Sequence, residues 1–328
     1  MIEPTPPSYR PILKDFKAAS ERIRGIVTRT PLLSLRWYDE NPEILLKPEM
    51  LQPIGSYKIR GIYNLVAQIS PEQRSQGIST LSSGNMAQAV AYVGKLFGIP
   101  AKAYIREDAP LTKINSVKRY GAEVILISPE KRIDVLDNPP EDSYFIHPIS
   151  EFRLMDGYGT IGLEIIEDAP ETETIYVPLG VGFLGSAVAL AAKALKPSVR
   201  VIGVNAENSP HYFECFKQGK IVATEIKATL ADGTMGNLAA FPNYSDYTLR
   251  LIQEAIDDVV IVSEEKIEDA IRYLALENKL IAEGSGALSL AAALDTPKKE
   301  RAKTVCVLSG GSIDADKLSK IIANKLNR

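Results

Sequence analysis

The segment GSYKIRGIYN, residues 55–64, places a lysine where a helix is predicted to begin. Gly55 and Ser56 open the helix, Ile59 and Ile62 belong to its apolar face, and Lys58 lies in its first turn. A cation there opposes the helix dipole, which is mildly unfavourable. A desolvated lysine amine can act as a nucleophile or a base, whereas a lone lysine is more often a solvated surface charge. Both interpretations of Lys58 stay open on this segment alone.

The segment LSSGNMAQAV, residues 81–90, reads as a strand, a polar turn and a helix. Ser82, Ser83 and Asn85 could cap that helix, since Ser and Asn side chains accept hydrogen bonds from backbone amides at a helix start. The same amides and hydroxyls could instead hold a carboxylate of a bound substrate. The segment predicts either a helix cap or an anion site.

The segment PLGVGFLGSAVAL, residues 178–190, has the same order with a glycine-rich turn. Gly180, Gly182 and Gly185 permit positive φ and close approach, so the turn could surround a phosphate with backbone amides. The run also matches G-x-G-x-x-G, and Glu207 ends the next strand as in a dinucleotide-binding fingerprint. A packing turn that binds nothing is the third interpretation.

Two further segments lie near the end of the chain. IAEGSGALSLAAAL begins at residue 281, and VLSGGSID covers residues 307–314. In the second, a strand brings Ser309 and two glycines to the carboxyl end of a sheet, which is where open α/β folds bind ligands. A plain turn at the end of a strand would have the same sequence.

These segments lie within an alternation of short β-rich runs and longer runs of helical period. Helices are predicted for MAQAVAYVGKLFG, LTKINSVKRYG, GTIGLEIIED, SAVALAAKALK, EKIEDAIRYLALENK and the run after Gly286. Such alternation indicates βα units and a doubly wound α/β fold with parallel sheets. The predicted strands are EILLKP, GISTLS, AKAYI, AEVILI, SYFIHP, TIYVPL, VRVIGVNA, DVVIVS and TVCVLS.

The bulk composition favours an enzyme-like globular protein with small-molecule partners. A chain of 328 residues with 45% hydrophobic and 24% charged residues favours two packed domains. The net charge of -3 and the dispersed basic residues give no sign of a nucleic-acid or membrane partner. Two histidines and two distant cysteines exclude metal sites built on several such ligands. The cysteines indicate no disulfide, and the first residues lack a secretory pattern, so we expect a cytoplasmic protein.

Together and in this order, the five segments resemble the fold-type II pyridoxal-phosphate enzymes, specifically the threonine/serine dehydratase and serine racemase group. The resemblance extends from RTPLL near residue 30 to SGGSID near residue 314, and GYGTIGLEI and TLADG take part in it. It implies two domains as in the tryptophan synthase β chain, with sheets flanked by helices. Residues 1–52 and 151–328 would form the large cofactor domain, and residues 53–150 the small substrate-loop domain.

The resemblance also implies a role for each motif residue. Lys58 would hold pyridoxal 5'-phosphate as a Schiff base and then take the Cα proton of the substrate. Asn85 would hydrogen-bond the 3' oxygen of the cofactor, and Ser309 would face its pyridine nitrogen. Substrate would be bound by Ser82, Ser83, Asn85 and Met86, and the phosphate by the backbone amides of Gly180, Val181, Gly182, Phe183 and Leu184.

The implied activity is deamination of L-threonine, L-serine or a related β-hydroxy amino acid to a 2-oxo acid and ammonia. A neutral hydroxyl at Ser309 does not favour a protonated ring, which suits loss of a β-hydroxyl group. Ser83 occupies the position of the second acid/base of serine or aspartate racemases, so racemisation is the alternative. Outside this family, the alternatives are an NAD(P)-dependent oxidoreductase that uses GVGFLG, and a catalytically silent binding protein. By resemblance we expect a homodimer.

Four departures from the family pattern bear on the site. The family usually has four consecutive glycines where this chain has Gly180, Val181, Gly182 and Phe183, and Val or Phe would be strained if either position required positive φ. Met86 replaces a histidine, and Ser312 replaces an asparagine. The partner carboxylate expected for a divalent cation at Glu207 falls at Phe213, so no metal is predicted. The chain also ends soon after SGGSID, so we expect no C-terminal regulatory domain.

Overall fold

A computed structural model describes residues 9–36 and 44–323, whose strands form two separate sheets. The larger sheet has six strands and the smaller has four. In chain order the strands β1 to β10 are Leu33–Ser34, Ile44–Pro48, Ile78–Leu81, Ala101–Arg106, Glu123–Ile127, Tyr144–Phe145, Thr174–Pro178, Arg200–Ala206, Asp258–Val262 and Thr304–Leu308.

The six-stranded sheet has the order β1-β2-β10-β7-β8-β9. Only the β1 pairing is antiparallel, and the register places Cys306 of β10 between Leu46 of β2 and Tyr176 of β7. Every residue of β7 and β10 is buried, as expected for strands covered by helices on both faces. The last strand of the chain therefore lies in the middle of the sheet, and its carboxyl end opens next to that of β7.

The four-stranded sheet has the order β5-β4-β3-β6 and is parallel throughout. All its strands lie between residues 78 and 145, inside the proposed small domain, whereas all strands of the larger sheet lie outside the proposed range of 53–150. The exact boundaries of the two domains stay a prediction.

Thirteen α-helices cover the sheets in the described part of the chain. The helix pair α7 and α8 packs closely because Gly162 leaves no room for a side chain, and a Cβ there would lie 2.4 Å from the carbonyl oxygen of Val188. In chain order α1 to α13 are Leu13–Ile23, Lys58–Val66, Pro71–Ser75, Asn85–Phe97, Leu111–Arg119, Lys131–Asp137, Leu154–Asp168, Phe183–Leu195, His211–Gln218, Pro242–Ala255, Glu264–Tyr273, Gly284–Asp295 and Ala315–Ala323.

The predicted α/β class and all nine predicted strands are confirmed, and β1 is an addition. The structure begins α2 at Lys58 itself, with Tyr57 as the residue before it. The run after α11 continues as a π-helical turn, Leu274–Asn278, and ends at Lys279, whose φ of +60° is left-handed. No helix among the described residues is long and apolar enough to span a bilayer.

Candidate active site

The lysine segment is hydrogen-bonded directly to the turn that follows β10. The Tyr57 amide donates to the Ser309 carbonyl at 3.1 Å, and the Gly311 amide donates to the Gly55 carbonyl at 3.0 Å. Between these bonds Ser56 and Gly310 form an antiparallel bridge. Gly55 adopts a φ of +72°, which a side chain would disfavour. Two segments about 250 residues apart are thus joined at the carboxyl end of the larger sheet, as predicted for GSYKIRG and SGGSID.

Lys58 is half-buried and its amine lies close to two aromatic rings. The Nζ atom is 4.9 Å from the ring centroid of Tyr57 and 5.5 Å from that of Tyr158. The Tyr158 side chain is fully buried, and within the described residues its hydroxyl has no hydrogen-bond partner. Burial, together with the nearby Tyr57, raises the pKa of Tyr158 well above its ordinary value. The Lys58 amine therefore borders a dry aromatic wall on one side.

Arg60, two residues after Lys58, anchors α2 through a buried network of charges. Its guanidinium donates to both oxygens of Glu49 at 2.7 and 2.8 Å and to both oxygens of Glu164 at 2.6 and 3.0 Å. The Lys47 ammonium donates to Glu164 at 2.6 Å. Arg60, Glu49 and Lys47 are fully buried, so each charge depends on its neighbours for compensation.

The pKa values in this network shift with the balance of burial and charge. Burial lowers the pKa of Arg60, but Glu49 and Glu164 outweigh it and hold that pKa above its ordinary value. Burial raises the pKa of Glu164, and Arg60 and Lys47 more than reverse it. The pKa of Lys47 is lowered, mainly by burial. The Arg60 and Glu164 side chains thus stay charged at neutral pH.

Two glycines allow α2 and α7 to touch along their backbones. A Cβ at Gly157 would lie 2.2 Å from the Arg60 carbonyl oxygen, and a Cβ at Gly61 would lie 2.5 Å from the Tyr158 ring. Real Cβ atoms do not approach so closely, so larger residues at either position would separate the helices. This contact holds Tyr158 beneath the first turn of α2.

The predicted substrate loop lies between β3 and α4. Ser82, Ser83 and Asn85 are partly exposed, and α4 begins at Asn85 without a side-chain cap. The Gly84 amide donates to Ser82 Oγ at 3.2 Å. The helix-cap interpretation of this segment is therefore wrong, and the first amides of α4 stay available to a carboxylate.

Met86 lies one residue into the same helix, but its side chain is only 5% exposed and belongs to the main hydrophobic core. The structure packs this thioether among apolar side chains below the loop. A direct contact between Met86 and a substrate stays a prediction.

The glycine-rich turn between β7 and α8 has one left-handed residue. Gly182 adopts a φ of +96° before the first residue of α8, whereas Val181 and Phe183 do not have positive φ. The substitution of family glycines by Val181 and Phe183 therefore causes no backbone strain. The unpaired first amides of α8, at Phe183 and Leu184, form the anion-binding geometry of a helix N-terminus.

Side chains from α9 hold this turn from behind. The Tyr212 hydroxyl donates to the Val181 carbonyl at 2.8 Å, and His211 Nε2 lies 2.9 Å from the Gly180 carbonyl oxygen. These contacts point the carbonyl groups of the turn toward α9. A Cβ at Gly182 would lie 2.5 Å from the Tyr212 hydroxyl, so the turn cannot accept a side chain there.

Ser309 and the TLADG segment connect the turns. The Ser309 side chain is 5% exposed and donates weakly to the Ser285 carbonyl at 3.4 Å. The Ser285 hydroxyl lies 3.4 Å from the Thr234 hydroxyl, and Thr234 in turn borders Gly180. The structure thus brings the predicted lysine segment, the phosphate turn and Ser309 to one end of the larger sheet.

The sequence interpretation gave no role to Glu283, which the structure places in this site. Glu283 is 8% exposed and its Oε1 accepts from Asn85 Nδ2 at 2.8 Å. Burial, and then the charge of Asp232, raises the pKa of Glu283 to about 7, although Asn85 and Lys113 lower it. The signal in the sequence was the acidic residue directly before the GSGA helix start.

Asp232 also pairs with Lys113 across the two sheet regions. Lys113, on α5 of the smaller region, donates to Asp232 at 3.0 Å. Asp232 lies in the TLADG segment, which the sequence singled out by resemblance only. Two polar contacts, Asn85 with Glu283 and Lys113 with Asp232, therefore join the smaller sheet region to the larger.

Glu207 does not lie in a metal-binding cluster. Its Oε1 accepts from the Glu264 amide at 3.0 Å, and the nearby Phe213 ring has the Lys217 ammonium 3.9 Å from its centroid. Across residues 9–36 and 44–323, no group of three or more His, Cys, Asp or Glu side chains is arranged to hold a metal ion.

Comparison with known proteins identifies the class of enzyme. The sequence model of the family "Pyridoxal-phosphate dependent enzyme" matches residues 23–310. The chain belongs to this family, and its cofactor is pyridoxal phosphate.

Individual relatives narrow the comparison. The chain is 39% identical to an L-threonine ammonia-lyase of Thermotoga maritima, over 94% of this chain and 78% of that protein. It is 36% identical to an L-threonine ammonia-lyase of Geobacter sulfurreducens, over 95% of this chain and 78% of that protein. The structure of maize serine racemase superimposes with a TM-score of 0.84 at 34% identity, over 97% of this chain and 99% of the maize chain.

Proposed function

We propose that this protein deaminates L-threonine, L-serine or a related β-hydroxy amino acid to a 2-oxo acid and ammonia. The observation that carries the proposal is the pairing of the Lys58 segment with the Ser309 turn at the end of β10. It places one amine and one neutral hydroxyl at the same end of the sheet as the phosphate turn. The identity of 39% to an L-threonine ammonia-lyase supports the same activity.

The residues present fit the cofactor. Gly182 supplies the one left-handed position that the turn needs, and the start of α8 supplies amide groups for a phosphate. Lys58 would bond the aldehyde carbon, Asn85 would face the 3' oxygen, and Ser309 would face the ring nitrogen. The phosphate would be held by the backbone of Gly180, Val181, Gly182, Phe183 and Leu184.

When bound, the cofactor supplies an electron sink that makes the Cα proton of an attached amino acid acidic. Lys58 Nζ would accept that proton, and the low polarity of the Tyr57 and Tyr158 rings favours the neutral amine that this requires. Ser82, Ser83 and the first amides of α4 would hold the substrate carboxylate. The neutral Ser309 hydroxyl leaves the ring nitrogen unprotonated, which favours loss of the β-hydroxyl over long storage of negative charge.

Racemisation of serine or aspartate is the second candidate function. The observation in its favour is the partly exposed Ser83 on the loop before α4, together with the similarity to maize serine racemase. Ser83 would then exchange a proton on the face of Cα opposite Lys58. The nicotinamide hypothesis loses its support, because the family match covers the GVGFLG turn.

The first experiment is a visible absorption spectrum of the purified protein, followed by borohydride reduction and peptide mass mapping. We expect a yellow protein with the reduced label on Lys58. A panel of amino acids would then be assayed for 2-oxo acid, and the remaining substrate for its chirality. A protein that stays colourless and unlabelled with added pyridoxal phosphate would contradict the proposal. Racemised substrate without 2-oxo acid would select the second candidate.

We also propose a cytoplasmic homodimer. Family resemblance supports the dimer, and exposed apolar side chains at Leu51, Leu276 and Ile281 lie on segments near the SGGS turn. The two cysteines, both buried and free, are consistent with a reducing compartment. Light scattering coupled to size-exclusion chromatography should give twice the chain mass of 35.9 kDa. A single chain mass at micromolar concentration would contradict the dimer.

A further inference from the structure

The motif IAEGSGAL contains an acidic residue whose side chain does not do the usual work of its position. Glu283 is the residue before α12, yet it makes no side-chain cap of that helix. Its amide donates to the Gly310 carbonyl at 3.1 Å, and its carboxyl group faces Asn85 instead. The side chain thus spans from α12 to the first residue of α4.

The Asn85 amide is held at both ends. Its Nδ2 donates to Glu283 at 2.8 Å, and its Oδ1 accepts from the Ser312 hydroxyl at 2.6 Å. An amide rotated by half a turn would place its oxygen against the Glu283 oxygen and lose that bond. Because an asparagine amide has two N–H groups, one stays available for a further acceptor.

Glycines enclose this arrangement. A Cβ at Gly310 would lie 2.7 Å from Glu283 Oε1 and 3.1 Å from Asn85 Nδ2, so only glycine allows the backbone to pass. A Cβ at Gly286 would lie 2.2 Å from the Gly310 carbonyl, and one at Gly311 would lie 2.4 Å from the Ile281 carbonyl. The glycines of both terminal motifs therefore bring the final turn against the Asn85–Glu283 bond.

We propose that Glu283 and Ser312 are positioning residues that fix the Asn85 amide so that its second N–H serves the 3' oxygen of the cofactor. This inference rests on the proposed function, because that function assigns the 3' oxygen to Asn85. Neither Glu283 nor Ser312 needs to touch the substrate. Ser312, which replaces the asparagine usual in the family, completes the arrangement with its hydroxyl.

The charges around Glu283 make its role visible to pH. Asp232 disfavours its ionised form, whereas Asn85, the Ser312 backbone and Lys113 favour it. Since its pKa is raised to about 7, the carboxyl group changes charge close to neutral pH. A cofactor spectrum that reports on the 3' oxygen should then change between about pH 6 and pH 8.

The test compares four variants by cofactor affinity and by visible spectrum. Glu283→Ala and Ser312→Ala each remove one bond to Asn85 and should weaken pyridoxal phosphate binding up to about tenfold, the loss expected for one hydrogen bond. Glu283→Gln keeps an acceptor without a charge, so it should bind the cofactor as the wild type does but lose the spectral change between pH 6 and pH 8. Ser312→Thr keeps the hydroxyl and should restore affinity.

Asp156→Asn is the matched control. Asp156 is also buried, and burial raises its pKa to about 7, but its hydrogen bond goes to Tyr9. This variant should keep both the affinity and the spectral change. Circular dichroism of each apoprotein checks folding, and if Glu283→Ala does not fold, Glu283→Gln and Ser312→Ala decide.

Two results separate the possible failures. If the wild type takes no borohydride label on Lys58, the proposed function fails. If every variant is labelled on Lys58 and keeps wild-type affinity and the wild-type pH dependence of its spectrum, the positioning role is overturned while the proposed function stands.

Discussion

The charges beneath Lys58 and the charges beside Asn85 are handled in opposite ways. Around Arg60, two carboxylates and two cations form a closed set in which each charge has a partner at 2.6–3.0 Å. Around Glu283, a buried carboxyl group has only an amide as its hydrogen-bonded side chain, and the nearest cation, Lys113, is paired with Asp232. The comparison teaches that the anchor of the catalytic lysine is fixed in charge, whereas the contact across the cleft is sensitive to protons.

Removing Arg60 should give the largest effect on stability. Arg60→Ala leaves Glu49 and Glu164 buried with Lys47 as their remaining cation, and breaking such a buried network costs about 3–5 kcal/mol. Urea denaturation of the apoprotein would measure the loss. Arg250→Ala removes an exposed pair with Asp246 and should cost less than about 1 kcal/mol. Equal losses in the two variants would contradict the fixed-anchor interpretation.

Removing the charge of Glu283 should have the opposite sign. Its pKa is about 7 in the folded chain against an ordinary 4.5, so the folded state holds the proton more tightly. The penalty of ionisation is therefore absent below about pH 4.5, grows as pH rises, and is complete above about pH 7.

Glu283→Gln should accordingly match the wild type at pH 5 more closely than at pH 8, where we expect it to be more stable by roughly 2–3 kcal/mol. Urea denaturation of both apoproteins at the two pH values gives the comparison. A difference that does not change with pH would mean that the Glu283 carboxyl group is not buried in its charged form.

The Lys113–Asp232 pair should give the smallest effect. Both side chains are more than a third exposed, so solvent screens their attraction, and a coupling energy of about 0.2–1 kcal/mol is expected. A double-mutant cycle of Lys113→Ala and Asp232→Ala would measure it. A coupling above about 2 kcal/mol would make this contact as rigid as the Arg60 network.

The sequence predicted the elements of the fold better than their charged contacts. The apolar runs of β7 and β10 are continuous, and continuous burial is what a central parallel strand requires, so their assignment was secure. Lys58 and Ser309 were found because each lies at the end of an element with a recognisable turn. The helices α1, α3, α6, α9, α10 and α13 were not predicted, and several of them are short or carry mixed polar faces.

The contacts of Arg60 and Glu283 could not be predicted from their own segments. Arg60 lies 104 residues from Glu164, and Glu283 lies 198 residues from Asn85. No local periodicity records a pairing over such a distance. Met86 shows the reverse case, since its place in a polar loop suggested a ligand contact, whereas the helical register turns its side chain into the core.

The backbone contact between Gly61 and α7 has a mechanical consequence. Helices that touch without intervening side chains cannot slide or tilt independently, and the Arg60 bonds lock α2 to Glu164 of α7 and to Glu49 beside β2. Any opening of the cleft must then pivot beyond α2 and carry α4 and α5 away, while Lys58 stays still. We expect the amine to behave as a stationary post, toward which the substrate loop swings.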